Sequence, residues 1–357
     1  MKKSDMTMIY KSKKLFEESS IITDGQRAEY VKGIEDFIKA NNRRAKNIRT
    51  EYMPPESFIK NIEKYRSDFN HMLGIDKIYK NEPVMAEKTY IGKDETSTIY
   101  RLKVYITDNV PFYALLLIPH NAGACMPVAI AQHGGGGTPE LCSDFEGKNN
   151  YNHMVQRILE KGFAVIAPQL MLWSVEEKGT ARAHNVTYDR RKADNSLMRF
   201  GMSLTGLEIS GIMRCIDYAC SNPEFDSDKI IMIGLSYGGY YTMHTMAADE
   251  RIKAGYAAGF FNDRDVYDWM DWSYNGSAVT FQDAEVAALC APRSLYVSVG
   301  TKDEVFNWQS AVGEAERAAV YFKMCGAEDN FIFKVWDGGH TIEDANCGFD
   351  FMLQALK

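Results

Sequence analysis

The fold of this 357-residue chain is inferred first from one stretch of its sequence, Ile230-Ile231-Met232-Ile233-Gly234-Leu235-Ser236-Tyr237-Gly238-Gly239. Its first four residues are apolar and predict a short buried strand, and a helical pattern follows Gly239. Between them stands a G-x-S-x-G pattern, in which the serine occupies a sharp turn from strand to helix. The pattern predicts that Ser236 is a nucleophile presented above the end of a sheet.

Two other interpretations of this glycine-rich stretch were weighed. G-x-S-x-G also occurs by chance, so the prediction depends on finding partners for the serine elsewhere in the chain. A phosphate-binding loop would need a Gly-Lys-Ser/Thr sequence or an acidic residue at ribose-binding spacing, and neither follows Ser236. The nucleophile interpretation is therefore the one carried forward.

A serine hydroxyl needs a histidine that accepts its proton, because it is a weak nucleophile at neutral pH. The base should lie downstream of Ser236, and of seven histidines only His244 and His340 do. His244 falls within the helix that leaves the serine turn, so we interpret it as structural. His340 follows a predicted strand, in the loop Asp337-Gly338-Gly339-His340, and is the predicted base.

The third member of the predicted triad is a carboxylate that orients the histidine. Asp303 comes just after the predicted strand Ser294–Gly300, so it should lie at the carboxyl end of the sheet. Glu304 and Asp337 are the rivals. Glu304 would face away from its neighbour, and Asp337 stands so close to His340 that it is expected to shape the loop.

A second glycine-rich segment, His133-Gly134-Gly135-Gly136-Gly137, follows a predicted strand at 128–131. At this place an α/β sheet can supply backbone N–H groups to an oxyanion. We predict that the N–H groups of Tyr237 and Gly135 form the oxyanion hole, with Gly134 or Gly136 as alternatives. One such donor contributes about 3 kcal/mol of transition-state stabilisation.

These motifs resemble those of the α/β-hydrolase superfamily, and more closely its dienelactone-hydrolase-like and acetyl-xylan-esterase-like branch. The resemblance runs from about Lys88 to the C-terminus and is most specific in four segments: Arg199-Phe200-Gly201-Met202-Ser203-Leu204, Asn222-Pro223, Asp228-Lys229-Ile230 and the Gly234–Gly239 turn. It implies a serine esterase that removes small acyl groups, first of all from acetylated sugars, without a cofactor. Dienelactone hydrolase itself carries a cysteine at the turn, so Ser236 argues against that reaction.

The predicted architecture is an α/β-hydrolase fold, with a mainly parallel central sheet flanked by helices and an N-terminal helical extension. Apolar residues recur at helical spacing from about Asp24 to about Gly74, and Pro54 and Pro55 interrupt them. From Lys88 onward the period approaches two, which is typical of strands. We therefore predict a helical extension over residues 1–85 and a catalytic domain over residues 86–357.

Strands and helices alternate in the predicted catalytic domain, as expected of a sheet with helices on both faces. The predicted strands are Val128–Ala131, Ala164–Ala167, Ile230–Gly234, Ala254–Ala258, Ser294–Gly300 and Phe331–Trp336, and the predicted helices are Leu204–Ala219, Tyr240–Ala248 and Ser310–Met324. About thirty residues, 260–290, separate two of these strands, which is longer than common loops and suggests a lid. Its aromatic residues are interleaved with acidic ones.

Four aromatic residues are candidates for stacking on a sugar ring: Trp173, Phe261, Trp269 and Trp272. Aromatic side chains are more often part of a core than of a ligand platform, so we expect about half of them to line the pocket.

Composition and charge exclude several function classes. The net charge of −7 leaves no footprint for nucleic acid or an anionic membrane, and no apolar run is long enough to span a bilayer. Seven scattered cysteines without metal-ligand spacing suggest reduced thiols and no metal site. Polar residues follow Lys2 and Lys3 where a signal peptide would be apolar, so we predict a cytoplasmic enzyme with a small-molecule or oligosaccharide ester as its partner.

Other functions remain open from the sequence. A peptidase-like enzyme or a carbon–carbon bond hydrolase could use the same triad, and a catalytically inactive binding protein could keep the same fold. Oligomeric state is open as well, with a homo-oligomer as one option. The N-terminal helices could cover the active site, mediate association or cap the sheet.

Overall fold

The computed structural model describes residues 18–147, 149–172, 189–267 and 269–357. The chain divides into two compact units between Lys46 and Asn47. In the first unit a short 3-10 helix, Ser20–Thr23, leads into the long helix α1, Asp24–Tyr52, within which the division falls. Apolar side chains of that unit such as Tyr30 and Phe37 are exposed rather than buried.

The second unit contains the remaining helices and the sheet. Besides α1, the α-helices in the described residues are α2 (Phe58–Leu73), α3 (Ile75–Ile78), α4 (Pro139–Cys142), α5 (Met154–Leu159), α6 (Arg190–Met198), α7 (Leu204–Ser221), α8 (Tyr237–Ala248), α9 (Asp283–Cys290), α10 (Trp308–Met324) and α11 (Cys347–Gln354). The strands are β1 (Ala86–Lys93), β2 (Ser97–Thr107), β3 (Val110–Pro119), β4 (Met126–Gln132), β5 (Ala164–Pro168), β6 (Phe225–Leu235), β7 (Ile252–Ala258), β8 (Ser294–Gly300) and β9 (Phe331–Trp336).

The nine strands form one sheet in the order β1-β2-β3-β5-β4-β6-β7-β8-β9. The pairs from β1 to β5 are antiparallel, and every pair from β5 to β9 is parallel. This confirms the predicted mainly parallel sheet. Because β6, β7 and β8 are parallel neighbours, their carboxyl ends lie at one edge of the sheet, where ligands of α/β folds bind.

Helices cover both faces of the sheet, as the buried strand sequences require. Ile230 and Met232 of β6 face one core together with α2 and α7 to α10, whereas Ile231 and Ile233 face the other, with α5 and α11. This alternation is the period of two that strand geometry imposes. All seven residues of β8 are buried, which fixes the strand that precedes Asp303.

The N-terminal helices α2 and α3 belong to the same compact unit as the sheet. Helix α2 ends at Gly74, whose φ of +75° is the left-handed conformation that glycine adopts readily. Phe58, Phe69 and Leu73 of this helix are completely buried in the core that also contains α8 and α10. Helix α2 therefore contributes to the hydrophobic core of the catalytic fold.

The segment 260–290, where the sequence predicts a lid, consists of an irregular part and a helix. Its last eight residues form helix α9, Asp283–Cys290, all buried. The preceding irregular part contains the 3-10 helices Met270–Trp272 and Ser277–Val279. We call residues 260–282 the lid insertion.

Candidate active site

Ser236 lies at a strained turn between β6 and α8. Its φ of 60° and ψ of −119° are rare for a residue with a side chain, and its N–H donates to the Ala258 carbonyl at 2.8 Å. The flanking glycines are required by close backbone contacts, because a Cβ on Gly238 would lie 2.1 Å from the Gln132 carbonyl oxygen and one on Gly234 would lie 2.4 Å from the Gly238 carbonyl carbon. This is the arrangement that presents a nucleophile above a sheet.

Asp303 and His340 form a hydrogen-bonded pair at the same sheet edge. The His340 Nδ1 lies 2.9 Å from Asp303 Oδ2, and the Asp303 carboxylate is completely buried. Its other oxygen, Oδ1, accepts the N–H groups of Val305 and Phe306 at 2.8 and 3.0 Å. With both oxygens held, the carboxylate orients the imidazole so that Nε2 is the nitrogen left for a reacting group.

Residues 258 and 259 connect Ser236 with His340. The Ala258 carbonyl accepts the Ser236 N–H, and a Cβ on Gly259 would lie only 3.3 Å from His340 Nδ1. The ring of Phe306 packs on His340, with 5.8 Å between ring centroids and 20° between planes. The structure thus brings Ser236, Asp303 and His340 to one place.

The rival residues lie elsewhere. Glu304 is exposed, and Asp337 is an exposed carboxylate 2.8 Å from Lys302 Nζ. His244 is buried in α8, where its Nδ1 lies 3.0 Å from the Tyr240 carbonyl oxygen. Burial lowers the pKa of His244 well below its usual value. It is therefore a neutral core histidine, in line with its interpretation as structural.

The segment His133–Gly137 lies directly beside the nucleophile, since a Cβ on Gly134 would be 3.3 Å from Ser236 Cβ. The Gly134 carbonyl accepts the Gly137 N–H at 3.1 Å and lies 2.9 Å from His133 Nδ1. In a trans peptide the carbonyl and the next N–H point in opposite directions. Because the Gly134 carbonyl is held toward His133 and Gly137, the N–H of Gly135 points away from these two residues.

Gly134 is a poor candidate for the oxyanion hole. Its N–H already donates to the Tyr151 hydroxyl at 2.7 Å, which corrects the expectation that it could serve as an alternative donor. Nothing in the sequence around Tyr151 signalled this contact.

His133 has a role that sequence reasoning did not assign. It is completely buried, and its Nε2 accepts the N–H of Leu170 at 3.0 Å. Burial lowers the pKa of His133 to about 4, so the ring is neutral and its Nδ1–H is the donor to Gly134. A neutral histidine thus fixes the glycine loop beside Ser236.

The four predicted sugar-stacking residues differ in placement. Phe261 is completely buried and packs on Phe333 at 6.0 Å, so its predicted role is wrong. Trp272 is 8% exposed, and the rings of Tyr240 and Phe306 stack on it, so it is a core residue as well. Trp269 is 40% exposed and is the candidate that stays accessible among those the structure describes. Trp173 lies outside the described residues.

Other structural features bear on the chemistry. In the described part of the chain, no group of three or more His, Cys, Asp or Glu side chains could hold a metal ion. No helix among those residues is long and apolar enough to cross a membrane. A cavity of about 390 Å³ lies between α2, the lid insertion and the start of α7, but its lining, which includes Asp68, Asp194 and Tyr274, contains no member of the predicted triad.

The mixed sheet, the strained serine turn and the Asp303–His340 pair together define an α/β hydrolase. Within that class the chain belongs to the dienelactone hydrolase family, whose sequence model matches residues 114–327. The matched residues contain the glycine loop, Ser236 and Asp303, and they end before His340. No curated protein matches the sequence.

Solved structures with the same fold include several esterases. A Bacteroides fragilis protein provisionally assigned as an acetyl xylan esterase is 15% identical, with a TM-score of 0.65 over 83% of this chain and 81% of its own. A glucuronoyl esterase from Solibacter usitatus is 14% identical, with a TM-score of 0.57 over 81% of this chain and 92% of its own. Acetyl xylan esterase 1 from Thermoanaerobacterium sp. JW/SL YS485 is 15% identical (TM-score 0.55; 83% and 94%). At these identities the likeness shows a shared fold.

Proposed function

We propose that this protein is a serine carboxylester hydrolase that removes acetyl or other short acyl groups from carbohydrates. The observation that carries the proposal is the buried Asp303–His340 pair, which is hydrogen-bonded at 2.9 Å beside a serine held at a φ of 60°. A strained serine next to an oriented imidazole is an activated nucleophile.

The first half of the proposed reaction is acylation of the enzyme. His340 Nε2 takes the Ser236 hydroxyl proton while Oγ attacks the ester carbonyl, and the oxyanion that forms accepts the N–H groups of Tyr237 and Gly135. The imidazolium next to the Asp303 carboxylate then gives its proton to the oxygen of the leaving alcohol. The alcohol departs, and the acyl group remains on Ser236.

The second half of the reaction repeats these steps with water. Neutral His340 takes a proton from the water, whose oxygen attacks the acyl carbonyl, and the same two N–H groups hold the oxyanion. His340 then returns the proton to Ser236 Oγ, which frees the carboxylic acid. The cycle consumes one water molecule and needs no cofactor.

The carbohydrate part of the proposal has two supports. Structures that share the fold include proteins named as acetyl xylan and glucuronoyl esterases. In addition, Trp269 in the lid insertion is 40% exposed, and aromatic rings pack well against sugar rings. The cytoplasmic location predicted from the sequence is proposed with it, which would suit an oligosaccharide rather than a polymer as the substrate.

The test is a hydrolysis screen over acetylated xylo-oligosaccharides, p-nitrophenyl acetate, longer p-nitrophenyl esters and peptides. We expect acetyl esters to react fastest, and we expect Ser236→Ala to lower kcat by at least about 10⁴-fold. A fluorophosphonate probe should label the wild-type protein at Ser236. The matched control is Ser221→Ala, which removes an exposed hydroxyl at the end of α7 and should keep full activity.

The outcomes separate the alternatives. Turnover of peptides in preference to esters would replace the proposal by a peptidase. Faster cleavage of long acyl chains would exclude the short-acyl preference. Undiminished activity or labelling in Ser236→Ala would overturn the mechanism.

A further inference from the structure

The Tyr237 hydroxyl joins the serine turn to the lid insertion. It donates to Asp271 Oδ2 at 2.7 Å and accepts the indole N–H of Trp269. Tyr237 directly follows Ser236 in the chain and is 3% exposed. One phenolic oxygen therefore holds two lid residues against the start of α8, and we call Tyr237, Trp269 and Asp271 the latch.

A largely buried arginine also contacts the latch. Arg190 donates through Nε to Asp271 Oδ2 at 3.1 Å and through Nη1 to both Glu208 oxygens at 2.9 and 3.0 Å. Its Nη2 donates to the Tyr241 hydroxyl at 2.9 Å. The Arg190 and Glu208 side chains are 10% and 4% exposed. These contacts connect Asp271 through Arg190 of α6 to α7 and, a second time, to α8.

The chemistry of these groups fixes the direction of each hydrogen bond. Burial and the nearby Asp271 carboxylate raise the pKa of the Tyr237 hydroxyl, so it stays protonated and acts as the donor to Asp271. Its lone pair is then directed at the indole N–H, which can only donate. A phenylalanine at position 237 would keep the ring packing on Trp272, at 5.2 Å, and lose both hydrogen bonds.

We propose that the latch determines which esters the enzyme accepts, because it fixes Trp269 as the platform for the alcohol part of the substrate. Tyr237 and Asp271 act as positioning residues, and Arg190 holds Asp271 in place. Trp269 is the exposed aromatic member of the latch, and its indole N–H is bound by the side chain of the residue that follows Ser236. This inference rests on the proposed esterase function and adds the residues that select its substrate.

The experiment compares two esters through the ratio of their kcat/KM values: the best acetylated xylo-oligosaccharide and p-nitrophenyl acetate, whose leaving group is small. We expect Tyr237→Phe to lower this ratio at least fivefold. The matched control is Tyr240→Phe, since Tyr240 also packs on Trp272 from α8 and its buried hydroxyl has no hydrogen-bond partner among the described residues. The control should change the ratio less than twofold. A ratio in Tyr237→Phe within fivefold of wild type overturns the proposal.

A double-mutant cycle separates positioning of Trp269 from general damage to the fold. The quantity compared is the change that Tyr237→Phe causes in the logarithm of the kcat/KM ratio for the two esters. If the Tyr237 hydroxyl acts through Trp269, this change should be at most half as large in a Trp269→Ala background as in wild type. A larger remaining change overturns the proposal, because the hydroxyl would then act independently of the platform.

Hydrogen exchange provides a readout that needs no substrate. Amide exchange of residues 266–276, followed by mass spectrometry, should be faster in Tyr237→Phe than in wild type and unchanged in Tyr240→Phe. Unchanged exchange in Tyr237→Phe would overturn the latch. Failure of the proposed function itself is seen separately, as esterase activity that survives in Ser236→Ala.

Discussion

Two regions of the molecule are stabilised by different kinds of interaction. One is the edge of the sheet with Ser236, Asp303 and His340, which we call the serine edge, and the other is the lid insertion. At the serine edge, backbone groups position Ser236 and Asp303: the Ser236 N–H binds the Ala258 carbonyl, and two backbone N–H groups hold Asp303, which in turn orients His340. In the lid insertion, side chains bind side chains, as in the Arg264–Asp283 pair at 2.7 Å and the Arg190–Asp271 pair at 3.1 Å. The first region is positioned by parallel strands and the loops that follow them. The second is positioned by side-chain contacts with helices α6 and α9.

This difference teaches which part of the protein carries which property. Backbone hydrogen bonds persist through most side-chain changes, so we expect Ser236 and Asp303 to keep their geometry when surrounding side chains are substituted. Side-chain pairs are lost with a single substitution, so we expect changes in the lid insertion to alter substrate preference without disturbing Ser236, Asp303 and His340.

The largest effect is expected from Asp303→Asn. An amide in place of the carboxylate favours the wrong imidazole tautomer, so kcat for p-nitrophenyl acetate should fall about 10⁴-fold with little change in Tm. The matched control is Asp337→Asn, which alters an exposed carboxylate in the His340 loop and should leave kcat within about twofold. A larger loss of kcat in Asp337→Asn than in Asp303→Asn would show that Asp337, and not Asp303, is the acid.

A second prediction concerns two aromatic residues of the lid insertion. Phe261→Ala removes a completely buried ring and should lower the free energy of unfolding by about 4 kcal/mol, measured by urea denaturation. Trp269→Ala removes a half-exposed ring and should lower kcat/KM for acetylated oligosaccharides about tenfold, with a smaller effect on unfolding. The reverse pattern would mean that Phe261 binds the substrate and that Trp269 belongs to the core.

Much of the fold could be predicted because local pattern and burial agree in the parallel strands. The bounds predicted for two strands, Ser294–Gly300 and Phe331–Trp336, are those in the structure. Strand ends also led to Asp303 and His340, since a polar residue just beyond a buried strand is placed by the strand itself. The structure brings these two residues together, and their catalytic roles remain predictions.

The lid insertion could not be predicted in the same way. Whether Phe261 faces the core or a pocket depends on which helices pack over it, and its sequence neighbours hold no such information. Arg190 and Asp271 are 81 residues apart, and nothing local to either residue identifies the other. Tyr151 was missed for the same reason, because its contact with Gly134 is a tertiary one.

The smallest effect is expected from His133 and is seen as a pH dependence. Burial in the folded protein lowers the pKa of His133 from 6.5 to about 4. Above pH 6.5 the ring is therefore neutral in the folded and in the unfolded chain, and titration of His133 costs no stability there. As the pH falls, the unfolded chain binds a proton that the folded chain excludes. Stability should therefore decrease between pH 6.5 and 4, by about 3 kcal/mol in total.

Urea denaturation at pH 7, 5.5 and 4 measures this loss for wild type and for His133→Gln, which cannot titrate. The difference between the two proteins isolates His133 from other titrating groups such as His244, which both retain. We expect the variant to lose less stability on acidification and to turn over p-nitrophenyl acetate more slowly at pH 7, because the Gly134 carbonyl loses its donor. Equal pH dependence in the two proteins would mean that His133 binds a proton equally readily in the folded and the unfolded chain, and the lowered pKa and the neutral ring beside Ser236 would then be wrong.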